Sequence, residues 1–149
     1  MLQTKWGRMP RFRAALPGLL AFFAAFAVSS LWSVRAQQNS NFTGTVTRVE
    51  EGSEGNIAHF RFAPGARTKW HSHERGQIIL VEQGVARTQV KGGPVVELHA
   101  GDTIYAPPGV VHWHGAAPDK ECIQYNVTRG MVTWFDEVPE KDYTAAPKK

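Results

Sequence analysis

The fold is decided by two stretches, Pro64–Gly84 (PGARTKWHSHERGQIILVEQG) and Gly101–Gly115 (GDTIYAPPGVVHWHG). Each stretch contains two histidines with one residue between them, His71 and His73 in the first, His112 and His114 in the second. Residues i and i+2 of a β-strand point to the same face, so each pair presents two imidazole rings to one side of a sheet. Nearby glycines and prolines predict tight turns at the ends of short strands.

The residues on either side continue this pattern of short strands. Alternating or β-branched runs predict strands at Phe42–Val49, Ile57–Phe62, Thr68–His73, Gln77–Glu82, Val85–Val90, Val95–His99, Thr103–Tyr105, Val110–Trp113, Cys122–Thr128 and Val132–Phe135. Turn signals such as Gln83-Gly84 separate them, and only Pro139–Tyr143 suggests a short helical turn. The sequence therefore predicts an all-β sandwich or small barrel.

Composition limits the domain count and the class of partner. The chain has 149 residues, 42% of them hydrophobic, which suits one domain with a core of its own. Removing the five cations of residues 1–36, which contain no acid, from the net charge of +4 leaves −1 for the remainder. Nothing basic is left to indicate nucleic-acid binding. The lone Cys122 excludes an internal disulfide, and its alternating surroundings predict burial.

The N-terminus is typical of an export signal. Four cations in the first 13 residues precede an uncharged run of 21 residues, Ala14 to Val34, and a cleavage pattern ending at Ala36. We expect a signal-peptide helix over residues 1–36, with an uncleaved membrane anchor as the alternative. Residues 37–41 then form a flexible leader, 42–138 the folded domain and 139–149 a C-terminal tail. Either way the domain lies outside the cytoplasm, in the periplasm or secreted.

The two histidine pairs indicate a metal site. Neutral imidazole is the commonest protein metal ligand, and rings converging on one point suit Mn, Fe, Zn, Cu or Ni. A pair of exposed histidines on one strand face would be the ordinary explanation of either motif alone. Two such pairs with matching turn signals strengthen the metal interpretation.

The two stretches quoted above resemble the paired motifs of the cupin superfamily. The resemblance implies a single small jelly-roll β-barrel over most of Phe42–Thr128, with a metal deep inside. It also implies the ligands His71, His73, Gln77 and His112. Gln77 stands where the commonest cupin pattern has Glu, so the ligand set is neutral and leaves the full charge of the metal in the pocket. The alternative is a three-histidine site completed by water.

A narrower resemblance is to bacterial cupins related to the manganese-dependent hydroxynitrile lyases. It rests on FAPGARTKWHSH, Gly76-Gln77, HAGD (His99–Asp102) and HWHGAAP (His112–Pro118). It implies cleavage of a cyanohydrin at one divalent ion, Mn first and Fe or Zn next, with His114 as the base. A buried structural role for His114 is the alternative. The pocket would include Phe60 and Gln124, which replace a smaller residue and a histidine of that group.

Other functions remain open from the sequence. A three-histidine site also suits an iron dioxygenase, and a cupin can bind a small ligand without catalysis or serve as a structural partner. The expected partners are a small-molecule substrate and further copies of the chain, as a dimer or tetramer, with membrane contact only through an uncleaved N-terminus. Trp70 and Trp113 should face the far side of their strands and pack in the core or an interface, and core or interface packing is also expected for Trp134 and Phe135. Arg67 and Lys69 are expected at the rim or in solvent.

Overall fold

The computed structural model describes residues 41–148, which form an all-β, nearly closed barrel. The elements are β1 (Phe42–Thr43), β2 (Val46–Arg48), β3 (Ile57–Phe62), β4 (Arg67–Thr68), β5 (His71–His73), β6 (Gln77–Val90), β7 (Val95–His99), β8 (Thr103–Ala106), β9 (His112–Ala116), β10 (Cys122–Thr128), β11 (Val132–Trp134) and α1 (Glu140–Tyr143). The predicted signal-peptide helix lies outside the described residues. Within residues 41–148 no helix is long and apolar enough to cross a membrane.

The strands form two sheets that share β6. The histidine sheet contains β1, β4, β9, β5 and β11, and it continues through the second half of β6 to β7. The glutamine sheet runs from β2 through β3 and β10 to the first half of β6 and then β8. Because β6 passes from one sheet to the other, the inner faces of both sheets line one interior.

The predicted turn at Gln83-Gly84 is wrong, because β6 continues through it. The register against β10 slips here, with Gln83 opposite Ile123 and Val81 opposite Gln124. The extra residue bulges the strand and bends it. Gly84 has a φ of +76°, and a Cβ at this position would overlap the backbone oxygen of Glu121. The glycine is therefore required for a strand that changes sheets, rather than for a hairpin.

Two other predicted strands are each divided in the structure. The run Phe42–Val49 breaks into β1 and β2. The run Thr68–His73 breaks into β4 and β5, because its register against β9 shifts by one residue, with Arg67 opposite Gly115 and His71 opposite His112. Between the two strands, the amides of Lys69 and Trp70 donate to the backbone oxygens of Asn41 and Asp136. This second interruption changes which face the residues before it occupy.

Alternation along the strands separates two apolar clusters. One fills the barrel and includes Phe62, Ala66, Val81, Ala86, Leu98, Ala116 and Cys122. The other covers the outer face of the histidine sheet and consists of Trp70, Val95, Trp113, Val138 and Tyr143. The predicted helical turn after Pro139 is confirmed as α1, and it seats Tyr143 in this outer cluster. The predicted burial of Cys122 is confirmed, and burial raises its pKa to about 12.

Candidate metal centre

Two strands of the histidine sheet bring the imidazole rings together. His71 on β5 lies directly opposite His112 on β9, and the strand alternation turns both rings into the barrel. His73 follows on the same face of β5. All three side chains are buried, with at most 3% exposure. The tight pairing follows from the HxH spacing, which puts the intervening Ser72 and Trp113 on the other face.

The three rings are close enough to share one ion. Their candidate ligand atoms lie within 4.8 Å of one another. The ring centroids are 4.4 Å apart for His71 and His112, 5.0 Å for His71 and His73, and 5.6 Å for His73 and His112. The structure thus places three of the four expected ligands around one point.

Backbone contacts fix the orientation of two rings. Nδ1 of His71 donates to the carbonyl of Lys69 at 2.9 Å, and Nδ1 of His112 donates to the carbonyl of Val110 at 3.1 Å. These bonds select the tautomer whose Nε2 carries the free lone pair, the usual arrangement of a metal-bound histidine. His73 differs, since neither of its buried ring nitrogens has a hydrogen-bond partner in the described part of the chain. A buried polar group left in this way is costly unless something binds it, and a metal ion fits.

Gln77 reaches the same point from the glutamine sheet. It is the first residue of β6, it is buried, and its Oε1 lies 2.9 Å from Nε2 of His112. Two ligands at right angles around one ion, each about 2.1 Å away, would be about 3 Å apart. With Nδ1 of His112 protonated, Nε2 and Oε1 are both acceptors, so this separation suits coordination of one ion by both atoms.

Burial keeps these imidazoles in their ligand form. Loss of water, together with the neighbouring His112, lowers the pKa of His71 to about 3 and that of His73 to about 4. The pKa of His112 is also lowered, chiefly by burial. Metal binding requires neutral imidazole, so the environment of the cluster matches the chemistry of a metal site.

His114 lies beside the cluster, on the same face of β9. Its ring centroid is 5.2 Å from that of His71, and its Nδ1 is 2.9 Å from Oε1 of Gln124 on the glutamine sheet. An amide oxygen only accepts, so Nδ1 carries the proton and Nε2 is left as an acceptor. Burial, together with His71 and His112, lowers the pKa of His114 well below its usual value. The ring is neutral and is held in one tautomer.

Aromatic side chains stand at one side of the histidines. Trp134 of β11 lies opposite His71, with ring centroids 4.8 Å apart. Phe42 contacts both Trp134 and Phe60, at 6.3 and 5.7 Å between centroids. We refer to Phe42, Phe60 and Trp134 as the aromatic wall. Phe60 also lies opposite Gln124 in the β3–β10 register, so the two expected pocket residues share the inner face.

Trp134 and Phe135 do not lie in the core, and their packing in an interface stays a prediction. They are 36% and 42% exposed, and Trp134 borders the histidine cluster. The sequence offered no signal for this role, because it depends on the pairing of β11 with β5. The prediction for Trp70 and Trp113 is confirmed, since both are buried in the outer cluster.

The sequence suggested a position at the rim or in solvent for Arg67, but the structure places this residue elsewhere. Arg67 lies opposite Gly115, which stands between His114 and Ala116 on β9. The Arg67 side chain therefore points to the outer face of the histidine sheet. Its guanidinium lies 4.1 Å from the Tyr143 ring centroid and 2.8 Å from Oε2 of Glu140. Parity counting from His71 fails because β4 and β5 are separate strands. Lys69 is partly exposed and 3.9 Å from Glu137.

The remaining two histidines are separate from the cluster. His59 points outward from β3, where it stacks on Tyr125 and contacts Glu82 and the carbonyl of Glu51, each at 2.7 Å. His99 has a side chain that is 66% exposed. Neither ring faces the barrel interior, so the site uses four of the six histidines.

Comparisons with known proteins agree with this architecture. The Cupin domain family matches residues 58–128. The chain is 41% identical over 90 residues to an (R)-mandelonitrile lyase of Granulicella tundricola, covering 58% of this chain and 69% of that protein.

Two solved structures are similar to this chain. A cupin-like protein from Thermotoga maritima is 41% identical, with a TM-score of 0.59 over 68% of this chain and 84% of its own. A Klebsiella pneumoniae protein with a double-stranded β-helix domain is 25% identical, with a TM-score of 0.49 over 66% of this chain and 88% of its own. From the matched domain, the two 41% identities and the barrel itself, we conclude that the chain belongs to the cupin family.

Proposed function

We propose that the protein is an exported, metal-dependent lyase that cleaves a small cyanohydrin into a carbonyl compound and hydrogen cyanide. The observation that carries the proposal is the buried trio His71, His73 and His112 with a fourth neutral ring, His114, directly beside it. Similarity to an (R)-mandelonitrile lyase adds support for the reaction class.

The ligands of the proposed ion are the three histidines of the trio and Oε1 of Gln77. A divalent ion held there would act as a Lewis acid and lower the pKa of a bound hydroxyl group. Because all four ligands are neutral, they leave the ionic charge undiminished. We expect manganese, with iron or zinc as alternatives, since the ligand set alone does not select one ion.

His114 is the proposed base. The Nδ1–H of His114 donates to Gln124, so Nε2 of His114 accepts the hydroxyl proton of the substrate. The C–CN bond then breaks with its electron pair on cyanide, and the carbonyl forms. His114 returns the proton to cyanide, which leaves as HCN. The low basicity of the buried ring suits this reversible transfer from an acidified hydroxyl.

The aromatic wall would hold the apolar part of the substrate. Phe42, Phe60 and Trp134 meet edge to face and border the cluster through Trp134. Aromatic side chains supply large apolar contact areas with defined geometry. An aryl or branched alkyl group of modest size would fit such a wall better than a charged one.

The test is a cleavage assay with mandelonitrile, following release of benzaldehyde. We expect manganese-loaded protein to release benzaldehyde clearly faster than chelator-treated protein. The His114→Ala variant should lose about 10²- to 10⁴-fold in kcat. His99→Ala, which changes an exposed ring, is the matched control and should leave the rate unchanged. If the loaded and metal-free proteins are equally slow, the lyase proposal fails. Oxygen uptake by iron-loaded protein would favour a dioxygenase instead.

We also propose, from the sequence, the export of the protein, its domain boundaries and its assembly into a dimer or tetramer. Removal of residues 1–36 would be seen as a mature N-terminus at Gln37 in protein recovered from the periplasm or medium. An intact N-terminus in the membrane fraction would indicate the anchor. The expected dimer or tetramer is checked by light scattering on the mature protein.

A further inference from the structure

Asn126 is a buried polar residue that the proposed reaction leaves without a role. Its side chain is 2% exposed, and its Oδ1 has no hydrogen-bond partner within residues 41–148. Its Nδ2 donates to the backbone oxygen of Gln124 at 3.4 Å. Because that oxygen only accepts, the contact favours this orientation of the amide and leaves the acceptor atom unused.

The register places Asn126 on the inner face of the glutamine sheet, between the two amides that reach the histidines. It lies opposite Ile79 on β6, while the next inward positions pair Gln124 with Val81 and Thr128 with Gln77. Gln124 bonds His114, and Gln77 lies beside Nε2 of His112. Asn126 therefore lies on the inner face of the glutamine sheet, between the two residues whose amides contact the histidines.

An unused acceptor at this position requires an explanation. A buried oxygen without a donor destabilises the fold, whereas an apolar side chain of the same size would avoid that cost. Metal binding accounts for one of the unpartnered nitrogens of His73, but it does not account for a carbonyl oxygen on the facing sheet. A ligand that brings its own donor would satisfy the oxygen.

We propose that Asn126 is a specificity residue whose Oδ1 accepts a hydrogen bond from a second donor on the ligand, distinct from the hydroxyl that would be deprotonated. The inference rests on the proposed function for the nature of the ligand. It assigns the natural substrate to compounds with a second hydroxyl group, such as a cyanohydrin whose aryl ring carries a phenolic hydroxyl. Sites that hydrogen-bond a hydroxyl group discriminate strongly against analogues without it.

The test measures binding rather than turnover. Manganese-loaded protein is titrated calorimetrically with benzaldehyde, 3-hydroxybenzaldehyde and 4-hydroxybenzaldehyde, below neutral pH so that the phenols stay protonated. We expect one phenol to bind roughly tenfold more tightly than benzaldehyde, as one net hydrogen bond allows. Asn126→Leu should remove this preference without weakening benzaldehyde binding. Asn126→Asp, which keeps an oxygen acceptor, should retain the preference.

Metal content and melting temperature are measured on each variant, so that a misfolded Asn126→Leu protein is recognised. In that case the Asn126→Asp variant decides the test. Equal or absent binding of the three aldehydes by the native protein overturns the assignment. A preference that survives in Asn126→Leu also overturns it, and so does loss of the metal from that variant, which would make Asn126 a ligand. A preference that depends on Asn126 in a protein without cyanohydrin cleavage would refute only the lyase.

Discussion

The two faces of the histidine sheet are built from adjacent residues and serve opposite purposes. On the inner face, His71, His112 and His114 are buried, and the ring nitrogens of His73 have no hydrogen-bond partner among residues 41–148. On the outer face, Trp113 donates from Nε1 to Gln89 at 2.9 Å and packs at 5.5 Å from Tyr143. One face leaves lone pairs free for a ligand, whereas the other pairs the Trp113 indole nitrogen and buries aromatic area.

The comparison teaches that strand alternation places the residues of the metal centre and the residues that stabilise the fold on opposite faces of one sheet. Substitutions on the inner face should change binding with little effect on folding, and those on the outer face should do the reverse. The substitutions below test that separation, from the largest expected effect to the smallest.

His71→Ala should have the largest effect on the inner face. Loss of one of three histidine ligands is expected to weaken metal binding more than about 100-fold, because even supporting contacts around a metal are worth 10- to 100-fold. Affinity is measured by competition with a fluorescent chelator. The control is His99→Ala, on an exposed ring, which should bind as the native protein does. Unchanged affinity in His71→Ala would disprove the site.

Trp113→Ala should have the largest effect on the outer face. The side chain is fully buried, so its removal is expected to lower the free energy of unfolding by about 3–5 kcal/mol. Urea denaturation of the metal-free protein measures this loss. Under conditions where the variant is folded, it should still take up metal. Loss of the metal from a folded variant would mean that the two faces are not independent.

Arg67→Met should destabilise the protein by about 1–3 kcal/mol, since it removes charged hydrogen bonds to the Val138 carbonyl and Glu140. Methionine preserves much of the packing volume against Tyr143. The matched control is Arg61→Met, whose exposed partner is Glu121 at 2.8 Å and whose loss should cost at most about 1 kcal/mol. Equal losses in the two variants would show that burial of Arg67 adds nothing.

Tyr143→Phe should have the smallest effect and a distinctive pH dependence. The hydroxyl donates to the carbonyl of Ala116 at 2.9 Å, so its loss should cost about 1 kcal/mol below pH 10. Burial raises the pKa of Tyr143 from 10.0 to about 12. The unfolded chain therefore loses this proton first, and the native hydroxyl loses its advantage as pH rises from 10 to 12.

Denaturation curves of the two proteins at several pH values measure this change. The difference in unfolding free energy between native protein and Tyr143→Phe should narrow above pH 10. A difference that stays constant to pH 12 would contradict a buried, neutral tyrosine.

Local spacing predicted the chemistry of the histidine sheet from the sequence. The HxH pairs require alternation alone, and His71 and His112 indeed meet on one face while Trp113 points away. The barrel was implied by the resemblance of the two stretches to the cupin motifs, since the short strands alone left a sandwich open. Alternation acts between residues two positions apart, within the range over which sequence patterns are informative, whereas the meeting of His71 with His112 required the pairing of β5 with β9.

The parts that sequence analysis missed depend on pairing between distant strands. Arg67 changed faces because the chain gains one residue relative to β9 between Arg67, opposite Gly115, and His71, opposite His112. Gly84 bends one long strand instead of ending it. Trp134 and Asn126 became pocket residues through the register of β11 on β5 and of β10 on β6. No local pattern encodes these long-range pairings.

The most direct test of the account is elemental analysis of the mature, untagged protein from its native compartment, repeated on Gln77→Ala. The account predicts about one manganese or iron ion per chain, and a reduced content in the variant because an amide ligand is lost. Native protein without a stoichiometric metal, and unable to acquire one when manganese, iron or zinc is supplied, would contradict the central claim that the inner face of the histidine sheet is a metal centre.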